Sequence, residues 1–340
     1  MSEQPGVNSA REGELRPITF NRHLGNVYPA LAMLAGMQLE VFTSLADGPL
    51  TVDELATRLG VKALKLRPLM YALVVADLVT VDAQRFANTA ESDAFLVAGK
   101  PRYLGATHGA YADLWSATLH TADSIRSGQP QARHDFSAMP YPALKAFMRG
   151  LDAGASATAR RLHKDYGITA GGHVLDAGGG AGGLAIALCE LALELRATVG
   201  ELANVAPIAR ECVREAGMAG RIDVIECDLV VAAPPGQYSA VVMRALLQVM
   251  SAADARATVL HGTAALESGG GLYIVGRALD DTRLSPLDAV AANVMFLNIY
   301  DDGQAYTEGE YRDWLHDAGL LDIQRRELAG GYSIIHGIKA

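Results

Sequence analysis

The sequence predicts an α/β protein in two parts. A helical winged-helix module comes first, followed by a parallel sheet with helices on both faces, closed by an antiparallel hairpin. Three observations lead there. From about residue 173 short β-rich runs alternate with helical ones: "HVLDA", "LAIALCELALEL", "ATVGE", "VAPIARECVREAG", "IDVIEC", "SAVVM", "ARATVLHGTAALE" and "GLYIVG". Parallel strands joined by crossover helices produce that alternation. The last runs, "LDIQRREL" and "YSIIHGIKA", are split by Gly330-Gly331, as hairpin strands are. Upstream, "LTVDELATRLGV" and "ALKLRPLMYALVVADLVTVD" read as helix, tight turn and helix, and "LVTVDAQRFANT" adds a short β element, the outline of a winged helix.

The chain has 340 residues, half of them hydrophobic and one fifth charged, which suits one large or two medium globular domains. Residues 1–14 are polar, lack the apolar core of a signal peptide, and are expected to be a disordered tail. From Asn21 to about Ala46 apolar residues recur at helical spacing and stop at a "DG" turn. The next helix is expected to be capped near Thr51. Residues 51–100 carry six Lys/Arg against six Asp/Glu, so no basic face favours DNA, and residues 15–105 read as a packing or dimerisation module. Residues 104–166 look helical throughout, studded with Tyr111, Trp115, Phe136, Met139, Tyr141, Phe147 and Met148; residues 106–166 are expected to be a helical linker that also supplies a substrate pocket.

The net charge is −9, and without a long basic run nothing points to nucleic acid or an anionic membrane surface. No apolar run reaches the ~18–20 residues of a membrane span. Cys189, Cys212 and Cys227 lie too far apart for a C-x-x-C pair. A reduced, cytoplasmic, metal-free protein is the expectation.

"VLDAGGGAGG" follows a predicted strand and opens a helix, with Gly178, Gly180 and Gly183 in G-x-G-x-x-G spacing and Glu201 at the end of the next strand. Glycines there let the backbone approach a ligand, and the carboxylate can take both ribose hydroxyls. NAD and S-adenosylmethionine fit this alike. Two carboxylates separate them. Asp176, two places before the first glycine, would repel a pyrophosphate but could hold an ammonium, directly or through water. Asp228, ending the third strand in "IECD", could accept from an adenine amino group. A ligand with a cationic end and an adenosine end is S-adenosylmethionine.

The pieces "LTVDELATRLGV…LRPLMYAL", "LDAGGGAGG", "ELANVAPIA", "RIDVIECDL", "LESGGGLYIVG" and "YTEGEYRDWLHDAGL", in this order over nearly the whole chain, resemble the small-molecule O-methyltransferases that include plant caffeate-type and bacterial tailoring enzymes. The resemblance implies a class I, Rossmann-like methyltransferase domain over residues 167–340. It implies a homodimer built through residues 15–105, and S-adenosylmethionine as methyl donor, leaving S-adenosylhomocysteine. Carried over, Gly178 and Gly180 approach the methionine part of the donor and Glu201 binds ribose, with Leu202 beside it. Asp228 and Leu229 contact adenine, and Arg244 lies near the carboxylate end. Phe147, Leu151, Phe296 and Tyr300 would line the acceptor pocket, with Trp115 and Tyr141 as further candidates.

The pattern breaks at the family's "LHDW" segment, whose histidine deprotonates the acceptor hydroxyl. Here Gln248-Val249-Met250 stand in its place, and an amide is no general base near pH 7. Two carboxylates that brace that histidine in plant members are missing as well: Gly276 falls at the first and Ala305 at the second, with Tyr306 replacing a basic residue. Methyl transfer to a thioether needs no base. The expectation is therefore S-methylation of a thioether 2-hydroxy acid, as in the bacterial enzymes acting on 4-methylthio-2-hydroxybutyrate in dimethylsulfoniopropionate synthesis, with Gln248 orienting the acceptor and Arg149 holding its carboxylate. Methylation of oxygen, nitrogen or carbon on an aromatic or polyketide natural product is the alternative, and a cofactor-binding homologue that no longer transfers methyl is another.

Overall fold

The computed structural model describes residues 15–152, 154–168 and 171–340, so the tail expected at residues 1–14 lies outside them. The chain divides into two compact units, Met1–Tyr111 and Ala112–Ala340. The helical stretch expected as a linker thus groups mostly with the second unit.

In the first unit the apolar run read as one helix is two, α1 (Ile18–Gln38) and α2 (Val41–Ser44), broken where Glu40 takes a left-handed backbone. Helix α3 (Val52–Leu59) starts with a reciprocal cap: the Thr51 hydroxyl accepts from the Glu54 amide, and the Glu54 carboxylate accepts from the Thr51 amide at 2.7 Å. Such a cap contributes ~1 kcal/mol. Helix α4 (Ala63–Val75) leads into a hairpin of β1 (Val79–Asp82) and β2 (Arg85–Asn88), and α5 (Ala90–Leu96) follows. Phe42, Leu55, Met70, Leu73 and Phe86 make the core. Phe20, Leu24, Val27, Tyr28 and Leu31 remain exposed along α1.

Four helices follow: α6 (His108–Thr118), α7 (Thr121–Ser127), α8 (Tyr141–Leu151) and α9 (Ala155–Tyr166). Residues 128–140, expected to be helical, are not. Gly128 ends α7 in the left-handed region at φ 66°, and Pro130 and Pro140 supply no amide to a helical ladder.

The sheet is built from β3 (His173–Ala177), β4 (Arg196–Glu201), β5 (Ile222–Glu226), β6 (Tyr238–Arg244), β7 (Leu266–Leu279), β8 (Tyr306–Thr307), β9 (Leu320–Glu327) and β10 (Tyr332–Lys339). The connecting helices are α10 (Gly183–Leu191), α11 (Ala206–Glu215), α12 (Ala252–Ala264), α13 (Leu287–Ile299) and α14 (Glu308–Asp317). The order is β5-β4-β3-β6-β7-β10-β9, with β8 beside β7. Strands β3 to β7 run parallel, and β10 pairs antiparallel with β7 and β9, which is the closing hairpin the sequence predicts. One face packs Leu184, Leu188, Val199 and Val213; the other packs Leu175, Met243, Val259 and Leu315. The chain leaves β3 toward β4 on one side and returns to β6 on the other. That switch point, at the carboxyl ends of the strands, is where open α/β sheets hold ligands.

Candidate active site

The glycine loop sits at the end of β3. Gly178 and Gly180 have φ of +64° and +59°, the left-handed region where glycine alone is comfortable. The Gly178 amide donates to the Gly200 carbonyl at 2.8 Å, fixing the loop to β4. Any Cβ on Gly178 would meet Leu246 at 2.5 Å, whereas at Gly180 its nearest neighbour would be Met148 Sδ at 3.7 Å. Gly178 is thus required by packing and Gly180 keeps an open face.

Glu201 ends β4 almost buried, its two carboxylate oxygens accepting from the Gly180 amide at 2.9 Å and the Leu202 amide at 2.8 Å. Burial pushes its carboxyl above the usual range. A carboxylate has about four lone-pair sites, so each oxygen can still accept from a ribose hydroxyl. Leu202 is half exposed beside it. Asp228 caps its own turn, with Oδ1 accepting from the Val230 amide at 2.9 Å. The Leu229 side chain is buried in the core and its carbonyl is 2.8 Å from His261 Nδ1. The side chain expected to contact adenine is thus spent in the core.

Asp176 is more deeply placed than expected. Only 1 % of it is exposed, and Oδ2 accepts from the Ala185 amide at 3.2 Å in the first turn of α10. Burial pushes its carboxyl up to about 7. A direct contact with a ligand ammonium is closed off; the carboxylate underpins the glycine loop instead. Asp152, which the sequence did not single out, accepts from the Gly183 amide at 3.2 Å, and burial raises it to about 6. Arg244 donates to the Leu151 carbonyl at 3.0 Å and its charge acts on both aspartates, lowering each. A glycine cradle, two acceptors for a diol and carboxylates poised to ionise beside a cation together fit an adenosyl sulfonium amino acid.

On the acceptor side, Gln248 is 7 % exposed at a short 3-10 turn after β6. Its Oε1 accepts from the Arg277 amide of β7 at 3.2 Å. A Cβ on Gly276 would lie 3.1 Å from Gln248 Oε1. Buried Ala305 donates its amide to Asn293 Oδ1 at 2.6 Å, and the Tyr306 hydroxyl donates to the Met250 carbonyl at 2.6 Å. None of these groups is a base.

The expected acceptor residues are not all together. Phe147 on α8 meets the His134 ring edge-on at 5.2 Å. Leu151 is half exposed. Trp115 is partly buried on α6. Phe296 is 2 % exposed, inside a cluster with Ala117, Leu279 and Ile299, so it supports the site as core. Tyr300, 5.7 Å from Phe296 between ring centres, borders an open cavity of about 430 Å³ with Ser124 and Asn293. Burial raises its phenol to about 12. Arg149 and Tyr141 are engaged elsewhere. The Arg149 guanidinium donates to Glu215 and Cys212, and the Tyr141 hydroxyl to Glu211 at 3.1 Å, all on α11. The substrate roles expected of both give way to tying α8 to α11, because Glu211 and Glu215 lie within hydrogen-bond reach.

Comparison with known proteins follows the same lines. Residues 130–321 match the family described as "O-methyltransferase domain", and residues 22–98 the "O-methyltransferase dimerisation domain". The chain is 30% identical over 317 residues to a 3-hydroxy-5-methyl-1-naphthoate 3-O-methyltransferase of Streptomyces sahachiroi, covering 91% of each. It is 29% identical to an aclacinomycin 10-hydroxylase of Streptomyces purpurascens, over 90% of this chain and 84% of that one. Human N-acetylserotonin methyltransferase, solved with S-adenosylmethionine, superposes with a TM-score of 0.79 at 22% identity, covering 97% of this chain and 100% of that one.

Proposed function

Because the chain belongs to the S-adenosylmethionine-dependent small-molecule O-methyltransferase family, we propose that it methylates a hydroxylated aromatic or polyketide-type small molecule, with residue 248 positioning the acceptor rather than deprotonating it. The observation that carries this is Gln248 itself, an uncharged amide anchored to β7 through its oxygen. Bound S-adenosylmethionine supplies a methyl group on an electrophilic sulfonium. The chain's part is to hold the donor's ribose on Glu201, to press the glycine loop against it, and to aim the acceptor in line with the carbon, where alignment alone can supply several powers of ten in rate.

An aromatic acceptor is supported by similarity to an enzyme named for a hydroxynaphthoate and by the Phe136–Phe147 ring pair, 5.3 Å apart at α8. The thioether 2-hydroxy acid expected from the missing base comes second: Gln248 suits it, but Arg149, its expected carboxylate partner, is engaged with α11. Residues 15–105 are proposed to dimerise through the apolar face of α1, residues 106–166 to supply acceptor contacts, and residues 167–340 to bind the donor.

The test is a mass-spectrometric screen with isotopically labelled donor against hydroxynaphthoates, simple phenols, amines and thioether acids. Labelled methyl on a hydroxylated aromatic supports the reading. Transfer to 4-methylthio-2-hydroxybutyrate in preference to every hydroxyl acceptor overturns it, and release of unlabelled oxidised product in place of transfer would align the chain with its hydroxylase relative.

A further inference from the structure

The Gln248 amide is held at one end and unpartnered at the other. The turn that carries it touches both the glycine loop and the wall of the open cavity. Leu246 packs on Gly178, where any Cβ would lie 2.5 Å from Leu246 Cδ1. The Gln248 carbonyl packs on Gly303, where any Cβ would lie 2.6 Å from it. Gly303 and Tyr300 both line the cavity of about 430 Å³.

The orientation of the amide follows from its anchor. Its partner is the backbone N–H of Arg277, 3.2 Å away, so the atom facing β7 must be the oxygen and the nitrogen must face away. The anchor is rigid. The Arg277 guanidinium donates to the carbonyls of Asp288 at 3.2 Å and Gly330 at 2.6 Å, and lies 4.9 Å over the Tyr332 ring. Gln248 Nε2 has no hydrogen-bond partner among the described residues. It is not sealed in either, since the enclosed polar atoms without partners are Asn88 Oδ1 and Nδ1 of four histidines. A side chain only 7 % exposed thus presents a fixed, unpaired N–H donor, which calls for an acceptor atom.

The polar groups nearby offer donors or are already spent. The Tyr306 hydroxyl donates to the Met250 carbonyl, and Asn293 Oδ1 accepts from the Ala305 amide. Burial keeps the Tyr300 phenol un-ionised. Arg244, at the end of β6, donates to the Leu151 carbonyl, and Asp301 pairs with Arg133. Asp302 is exposed on the rim, where water screens its charge. A neutral hydroxyl could accept from Nε2, but its own proton would find no base there. An oxyanion has no such proton, and an N–H bond to an anion is the stronger kind.

We propose that the acceptor hydroxyl is already ionised when it binds, as in a hydroxyquinone or another hydroxyl conjugated to a carbonyl, and that Gln248 selects this class by donating Nε2–H to the anion; this rests on the hydroxyl-acceptor reading above. The proton is lost to water before binding. The oxyanion forms the new bond to the methyl carbon as the carbon–sulfur bond breaks and its electron pair returns to sulfur. Anion and sulfonium give two neutral centres, so the protein removes no proton.

The experiment uses the full chain, S-adenosylmethionine and two acceptors of one ring size. 2-Hydroxy-1,4-naphthoquinone is an anion at neutral pH, whereas 2-naphthol is almost wholly un-ionised. At pH 7 kcat/KM for the quinone should exceed that for the naphthol by about a hundredfold or more, the scale of the difference in ionised fraction. The quinone rate should be flat from pH 6 to 9, while the naphthol rate climbs about tenfold per pH unit toward its own pKa. Equal rates overturn the proposal, as does a rising limb common to both acceptors, which would report a base on the protein. Gln248→Glu keeps an oxygen for the Arg277 amide but replaces the donor by a negative charge. Its quinone kcat/KM should fall about a hundredfold, and the naphthol rate far less, with S-adenosylhomocysteine affinity within about threefold of wild type. Retention of the wild-type preference overturns the proposal. A reading independent of turnover comes from 4-nitrophenol, whose anion is yellow and which ionises near neutrality. Bound to the protein with S-adenosylhomocysteine, it should reach half-ionisation about one pH unit lower than when free, and Gln248→Glu should abolish that shift. No shift, or an equal shift in the variant, overturns the proposal. If wild type methylates no hydroxyl acceptor at all, the proposed function falls, and the nitrophenol spectrum alone decides whether Gln248 favours an anion.

Discussion

Gln248 Oε1 accepts the Arg277 amide across 3.2 Å, and Gly276, one residue earlier on β7, leaves that oxygen its room. A glutamine reaches the strand with a carbonyl oxygen that an alanine lacks, so its first duty is to fix the turn after β6. Gln248→Ala should lower turnover roughly ten- to a hundredfold, the scale of small misplacements near the chemistry. The pH–rate profile should keep its shape, because no base is removed. A profile that loses its rising limb in this variant would assign the proton transfer to position 248 after all.

Donor affinity should hang on Glu201. Removing its carboxylate takes away two acceptors for ribose and strands the Gly180 and Leu202 amides. At ~1.5–3 kcal/mol for each charge-assisted bond, Glu201→Ala should weaken S-adenosylhomocysteine at least tenfold by calorimetry. Equal affinity in variant and wild type would move the ribose elsewhere.

Along α1, Phe20, Leu24, Val27, Tyr28 and Leu31 follow helical spacing and are all solvent-exposed in the single chain. Continuous apolar surface of that kind marks an interface. Wild type should scatter light as a dimer, and the double change Leu24→Glu with Tyr28→Glu should give a monomer of 35.9 kDa. A wild-type monomer at micromolar concentration refutes the interface.

The buried carboxylates set a pH dependence of stability. Asp152 and Asp176 ionise at about 6 and about 7 in the folded chain because burial disfavours their charge, against the ordinary ~3.9 when unfolded. The folded state then binds more protons, so their contribution is full below pH ~4 and is lost as pH rises through 6 to 7. His173 and His336, whose imidazoles burial holds below their usual range, pull the opposite way as pH falls. Asp176→Asn isolates the effect. Its Tm should gain on wild type steadily from pH 5 to 8, and parallel Tm curves would count against the shift. The Tm increase given by S-adenosylhomocysteine should likewise grow over this window, since its ammonium favours the ionised pair.

Much of the fold was legible because its causes are local. The period of apolar residues marked the strands, Thr51 announced a cap, and Gly330-Gly331 marked the hairpin. The breaks were less visible. Glu40 adopts a left-handed backbone without a glycine to signal it, and residues 128–140, carrying Phe136 and Met139, read as helix until Gly128, Pro130 and Pro140 are weighed.

The sequence by itself determined the candidate donor site, since glycine loop, Glu201 and Asp228 come from consecutive strand ends whose spacing the βαβ repeat dictates. It also determined what is absent at position 248. Which polar groups are already engaged within the chain was decided only in three dimensions. Arg149 and Tyr141 turned to Glu215 and Glu211 because α8 packs against α11, and Asp176 withdrew beneath the loop it supports. Asp113 and His134, 21 residues apart on a helix and an irregular segment, form a pair that no spacing rule connects. Side-chain direction on an irregular segment depends on the packing around it, here on Asn298, Ile299 and Phe147, and that packing exists only once the distant parts of the chain have folded together.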